Sequence, residues 1–169
     1  MRRAKQVRDF EQARLAGELP DELDDVYEAI HGITGFEDVD AGSIEIGSTI
    51  YARKPGDGSA REQAASCQRV LGALANIVEE YATKRYRSNC MNWGMLPFQY
   101  AGDVELLNVG DWAFVPSIRD ALDGDLSHIR AFVIGDAGAR EIELSIADMT
   151  SEERAIVKAG CLINYNREK

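Results

Sequence analysis

Apolar positions change their spacing along the chain, and the changes divide it into elements. Val7, Phe10, Ala13 and Leu15 form a loose apolar stripe among Arg and Glu, which predicts an opening helix. Gly17 and Pro20 separate it from a second predicted helix, Asp21 to about Ile30. There Leu23, Val26, Tyr27 and Ile30 recur at the three-and-four spacing of one buried face. Pro20 suits the opening turn, where no amide hydrogen is needed, and Gly32 suits the end. Gly32 to Gly42 reads as a loop rich in Gly and Asp.

From Ser43 the period shortens. Ile44, Ile46 and Thr49-Ile50-Tyr51-Ala52 are β-branched or aromatic and predict a strand. Lys54-Pro55-Gly56-Asp57-Gly58 crowds Pro and two Gly into a tight turn. A good helix former follows from Ser59 to about Leu71, ended by Gly72. Ala73 to Val78 reads as a buried strand, and Thr83 to about Trp93 as a short basic helix. Gly94-Met95-Leu96-Pro97-Phe98 is an extended exit held by Pro97.

The last third alternates again. Ala131–Ile134 and Ile142/Leu144/Ile146 predict two strands joined through Gly135-Asp136-Ala137-Gly138, the second apolar on one face and acidic on the other. Thr150-Ser151-Glu152-Glu153 is a capping box that starts a helix through about Ala159. Leu162 to Tyr165 fits either a closing strand or an extended tail. Strand, turn, helix, strand, helix and hairpin together predict a three-layer or barrel-like α/β domain, residues 43–169, behind a helical arm and acidic loop, residues 1–42.

Composition narrows the class. The 169 residues are 45% hydrophobic and 28% charged, as in globular domains. No apolar run approaches the roughly 20 residues of a membrane span. The basic start Met1-Arg2-Arg3-Ala4-Lys5 lacks the apolar core of a secretory signal, so a cytoplasmic protein is expected. The net charge is −10, with nine carboxylates and no Lys or Arg between Glu18 and Asp40. Such a surface repels phosphate backbones, which argues against a nucleic-acid partner. Cys67, Cys90 and Cys161 stand 23 and 71 residues apart, without a paired motif, and predict reduced, mostly buried thiols rather than a metal site.

The chemistry concentrates in Gly56-x-Gly58-Ser59-x-Arg61-Glu62. The glycines let the backbone turn sharply, and a helix opening at Ser59 would aim the N–H groups of Ser59, Ala60 and Arg61 at an anion. Arg61 adds a planar fork for a carboxylate. The plainer reading makes Ser59 an N-cap and Arg61 a surface residue. Neither the Walker phosphate loop nor the dinucleotide fingerprint is matched. Lys84, Arg85 and Arg87 are expected to pair with acids such as Glu79 and Glu80, and His31 and His128 to be structural or exposed. Trp93, Tyr100, Trp112 and Phe114 read as packing residues.

The turn gains meaning from a second segment, Arg87-Ser88-Asn89-x-x-x-x-Gly94-x-Leu96-Pro97. Together with Gly-x-Gly-Ser-x-Arg-Glu-Gln-Ala-Ala, it resembles the C-terminal swivel domain of the aconitase superfamily, over about residues 43–165. The stretch Glu152-Glu153-Arg154 … Ala159-Gly160-Cys161-Leu162-Ile163-Asn164-Tyr165 is similar to the tail of that domain in aconitase-like hydratases. The resemblance implies an α/β swivel fold with a mixed sheet or barrel. It also implies reversible dehydration of a hydroxy di- or tricarboxylic acid. In that implied role Ser59 is the base, the Ala60 amide helps hold an oxyanion, Arg61 binds a substrate carboxylate, and Glu62 orients the turn.

Departures qualify the resemblance. Ala60 replaces the family's usual second serine, Gln63 stands where many relatives carry histidine, and the segment before Arg87 is one residue longer. Neither the family's opening strand nor the cysteine ligands of its [4Fe–4S] cluster appear here. The chain is therefore expected to be the C-terminal portion of a hydro-lyase, a fragment or a subunit. It would have no metal ligands of its own and would be completed by larger iron–sulfur domains. The competing expectation is a non-catalytic carboxylate-binding or assembly module, or an inactive fragment.

Overall fold

A computed structural model describes residues 2–167. Met1, at the basic start, and Glu168 and Lys169, at the end of the expected swivel unit, lie outside the described residues. Helices α1 (Arg2–Leu15) and α2 (Asp24–His31, entered through a 3-10 turn at Asp21–Leu23) form the arm. A β–α–β–α–β run follows: β1 (Ser48–Ala52), α3 (Arg61–Val70), β2 (Ala73–Val78), α4 (Lys84–Asn92) and β3 (Leu96–Gln99). These three strands form an all-parallel sheet in the order β1-β2-β3. Then come β4 (Trp112–Phe114), α5 (Ile118–Ala121), β5 (Ile129–Gly135) and β6 (Gly138–Leu144), the strands making an all-antiparallel sheet. Helices α6 (Ser151–Lys158) and α7 (Leu162–Arg167) close the described chain.

The fold is mixed α/β, but the expected single mixed sheet or barrel is not formed. Among the described residues, two separate three-stranded sheets meet through one isolated antiparallel bridge, Gln99 to Ser145. Closure would need β1 to find a second neighbour, and among the described residues β1 pairs only with β2. Its side chains show the consequence: Thr49, Ile50 and Tyr51 are all exposed.

Alternation sorts the core. Ile129, Ala131 and Val133 of β5 pack with Ile77, Phe98, Leu144 and Met91, filling the space between the sheets. The intervening Phe132 and Ile134 turn to the opposite face, where Val7, Phe10, Leu23, Tyr27 and Ile30 of the arm cover them. The arm thus shares a core with the antiparallel sheet. On the outer side of the parallel sheet, Ala65, Tyr86, Cys90 and Met95 form a third cluster with Asn76, which is fully buried.

Several expected boundaries move. Ala41–Ser43 is a 3-10 turn, and Ile44 and Ile46 pack under the arm instead of entering β1. The Ile46 N–H is taken by the Glu11 carboxylate at 2.9 Å, so it cannot serve a ladder. Leu162–Tyr165 is helical, neither strand nor extended tail. The capping box forms as expected: Glu153 N–H donates to Thr150 Oγ1 and Thr150 N–H to Glu153 Oε2. Among the described residues no helix is long and apolar enough to cross a membrane.

Candidate active site

The Gly56 turn leaves the C-terminal end of β1, the edge of a parallel sheet at which open α/β folds place their ligands. The segment after β2 runs beside it. Glu79, Glu80 and Ala82 donate their N–H groups to the carbonyls of Ala52, Arg53 and Pro55. Gly56 has φ +98°, and a Cβ there would come within 2.5 Å of the Tyr86 Cβ, so the turn is seated against α4 by a position only glycine can fill. The Gly56 carbonyl accepts from Thr83 Oγ1 at 2.9 Å and from Arg61 Nε at 3.0 Å. Thr83 is also the N-cap of α4, accepting from the Tyr86 N–H.

The two sequence segments are joined directly. With the Asn89 amide oriented so that its nitrogen donates to the Arg85 carbonyl at 3.2 Å, its oxygen accepts the Glu62 N–H at 3.1 Å. Asn89 therefore caps the first turn of α3 from a neighbouring helix. The Glu62 carboxylate accepts the Trp93 indole N–H at 2.7 Å. Behind this contact lies a buried polar wall. Asn76 Nδ2 and Gln68 Nε2 donate to the Tyr86 hydroxyl, and Asn76 also donates to Cys90 Sγ. Burial pushes the Cys90 thiol from its usual 9.0 up to about 11 and raises the phenols of Tyr86 and Tyr81 as well.

α3 begins at Arg61 with Ala60 as N-cap, so its first-turn amides are those of Arg61, Glu62 and Gln63 rather than of Ser59. Ser59 and Ala60 are exposed on the turn before it, and Ser59 is not the cap. Arg61 folds back over its own turn, donating from Nε to Gly56 and from Nη2 to the Asp57 carbonyl at 3.4 Å. Glu62 reaches α4 through Trp93. Gly58 is open, with nothing within 4 Å of a Cβ built on it.

The basic cluster behaves differently from its expectation. Glu79 pairs with Arg53 at 3.4 Å and Glu80 with Lys54 at 2.5 Å, and among the described residues neither Lys84 nor Arg85 forms an ion pair. Arg87 is structural, its Nη2 donating to the carbonyls of Ala147 and Asp148. His31 bonds the Val39 carbonyl, and exposed His128 pairs with Glu143. No disulfide forms; Cys90 is buried and Cys161 half-buried, but Cys67 is exposed, against expectation, on the outer face of α3. Among the described residues no group of three or more His, Cys, Asp and Glu side chains is gathered for a metal ion.

Two clefts lie away from the turn. One of about 320 Å³ opens at the seam of the sheets beside Gln99, Ser145 and Arg154. The other, about 340 Å³, lies under α1 beside Phe10 and Trp112. The sequence assigned no role to Thr83 or Asn89, although Asn89 falls inside the second segment and Thr83 carries an ordinary N-cap signal, and Trp93, expected only to pack, also donates its indole N–H to Glu62.

A family model, the aconitase C-terminal domain, matches residues 46–103. The match runs from just before β1 to just past β3, taking in the whole parallel sheet with both linked segments, about a third of the chain. The antiparallel sheet and the α6–α7 tail lie outside it. No curated protein matches the chain.

Proposed function

We propose, on the premise that residues 46–103 match the aconitase C-terminal domain, that this chain is the swivel portion of an iron–sulfur hydro-lyase. Its substrate would be a hydroxy di- or tricarboxylic acid, dehydrated and rehydrated reversibly. The observation that carries the reading is the coupling of Gly56–Glu62 to α4 through Thr83, Asn89 and Trp93. It ties both ends of the segment that carries Ser59 to α4, at the carboxyl edge of the parallel sheet.

Dehydration removes a proton from one carbon and hydroxide from its neighbour. This chain's share is the proton, taken by Ser59 Oγ as alkoxide. Charge then develops on the oxygens of the adjacent carboxylate. Arg61 spends two N–H groups on its own turn, and its remaining three are available to that carboxylate. The Ala60 amide adds a backbone donor, which survives the absence of a second serine. The residues present do not fit a [4Fe–4S] cluster, since the three cysteines are scattered and, among the described residues, no ligand group is gathered. In this reading the cluster belongs to larger partner domains.

A second reading, a carboxylate-binding or assembly module without catalysis, is favoured by one observation: Arg61 is held against the Gly56 and Asp57 carbonyls. Ser59→Ala in the assembly with its cluster-bearing partner separates the two. The enzymatic reading expects turnover to fall about a thousandfold, with carboxylate binding kept. An unchanged rate leaves the binding module.

A further inference from the structure

β1 ends the parallel sheet with an open edge. It pairs with β2 on one side, and among the described residues no strand lies on the other. Hydrogen bonds show which of its backbone groups are free. The Ala52 carbonyl accepts the Glu79 N–H, so Ala52 turns its backbone toward β2. From Thr49 to Ala52 the register with Ala75 to Val78 is unbroken. Backbone direction alternates along a strand, so Ile50 also faces β2, while the N–H and C=O groups of Thr49 and Tyr51 face outward.

This edge is poorly protected. Ser48–Ala52 holds no charged residue and no Pro, and its register shift lies at the very start, between Ser48 and Thr49. Thr49, Ile50 and Tyr51 are all exposed. Successive side chains of a strand point to opposite faces, so both faces of the edge are uncovered. The neighbouring chain adds apolar surface. Val70 and Leu71 close α3 just ahead of Gly72, whose carbonyl takes the Ser48 N–H. Ile50, Tyr51, Val70 and Leu71 make up half of the large apolar side chains left exposed among the described residues.

We propose that this edge is a dimer interface: β1 pairs antiparallel with β1 of a second copy, about a two-fold axis at Ile50, joining the two parallel sheets into one. Backbone and symmetry agree on this register. Thr49 faces Tyr51 of the second copy, and since both turn their backbones outward, each such pair exchanges both of its N–H···O bonds. Ile50 meets Ile50 in the close position between them. Charge fits the same direction. Exposed Arg53 and Lys54 follow β1 and exposed Glu45 precedes it, so antiparallel pairing brings the basic end of one strand to the acidic end of the other. Parallel pairing sets like beside like. The ion pairs these residues hold within the chain are exposed ones, which exchange at little cost. The Gly56 turns, leaving β1 at its C-terminal end, lie at opposite ends of the joined strands. The interface is independent of the hydro-lyase reading.

The test is sedimentation velocity of the full chain, which is expected to pass from monomer to dimer across the micromolar range. Ile50→Lys sets two cations face to face at the axis, and Ile50→Glu two carboxylates. Each is expected to weaken dimerisation about tenfold. Mixing the two variants should restore a dimer holding one of each, because the opposed charges then attract. Thr49→Pro removes an outward N–H, which an edge strand tolerates, and should weaken the dimer while the dilute monomer keeps its melting temperature. If Thr49→Pro melts early, the Ile50 mixture decides alone. A native chain that stays monomeric overturns the proposal and leaves the edge to a different partner. It is equally overturned by a dimer that Ile50→Lys leaves intact, by a mixture that fails to restore one, or by an assembly that grows past the dimer without limit.

Discussion

Trp93, the C-cap of α4, donates its indole N–H to the carboxylate of Glu62 in the first turn of α3, at 2.7 Å and 31 residues away in sequence. One turn back along α4, Asn89 takes the Glu62 backbone N–H. The same residue is therefore gripped twice, once by its side chain and once by its amide. Trp93→Phe keeps an aromatic ring and loses the donor, so it is expected to cost about 1 kcal/mol. Asn89→Ala uncaps a helix N–H at a similar cost of about 1 kcal/mol. Because both hold Glu62, the double variant should depart from additivity by about 0.5 kcal/mol or more in urea unfolding. Strict additivity would show that the grips are independent.

The two glycines of the turn are not equivalent. At Gly56 a methyl group meets both a φ of +98° and the Tyr86 Cβ at 2.5 Å. Gly56→Ala is expected to cost about 3 kcal/mol and to pull the turn off α4. Gly58 has open space around it, so Gly58→Ala should shift stability by about 0.5 kcal/mol or less. Thermal denaturation of the pair decides the point, and similar losses would mean that Tyr86 does not seat the turn.

Local chemistry was readable from sequence where it stays local. The Thr150 capping box and the apolar face of α2 depend on neighbours in the chain, and each forms. What depends on distant partners was not readable. Ile46 alternates like a strand residue, but Glu11, 35 positions earlier, takes its N–H. Trp112–Phe114 is too short a run to signal a strand and becomes one only by pairing with β5. Arg61 was expected to face a ligand. Its fold-back follows from where the Gly56 carbonyl points, which Thr83 fixes from 27 residues away.

The buried thiol makes stability depend on alkaline pH. Desolvation raises Cys90 from 9.0 to about 11, against smaller opposing hydrogen bonds from Tyr86 and Asn76. Below pH 9 the thiol is neutral in both folded and unfolded chains and contributes nothing to pH dependence. Above that, the unfolded chain ionises first, so folding free energy should fall between about pH 9 and 11, by about 2 kcal/mol. Cys90→Ala should flatten this part of the profile, whatever it costs at neutral pH. A profile identical to the native one would show that Cys90 is not the group responsible. The same burial predicts that a thiol reagent labels Cys67 first and Cys90 only on unfolding.

The arm precedes the match to a family domain yet is packed into the core. Val7, Phe10, Leu23, Tyr27, Ile30 and Ile33 are buried against Phe114, Phe132 and Ile134. At about 1.5–3 kcal/mol for each buried apolar side chain, these contacts are worth on the order of 10 kcal/mol. That is comparable to the whole stability of a domain, about 5–15 kcal/mol. Glu11 adds a polar tie, accepting the Ile46 N–H. Residues 43–169 produced alone should therefore lose the cooperative thermal transition and bind a hydrophobic dye, because the outer face of β5 is left bare. Were that piece to melt as sharply as the full chain, the arm would be an appendage rather than part of the core.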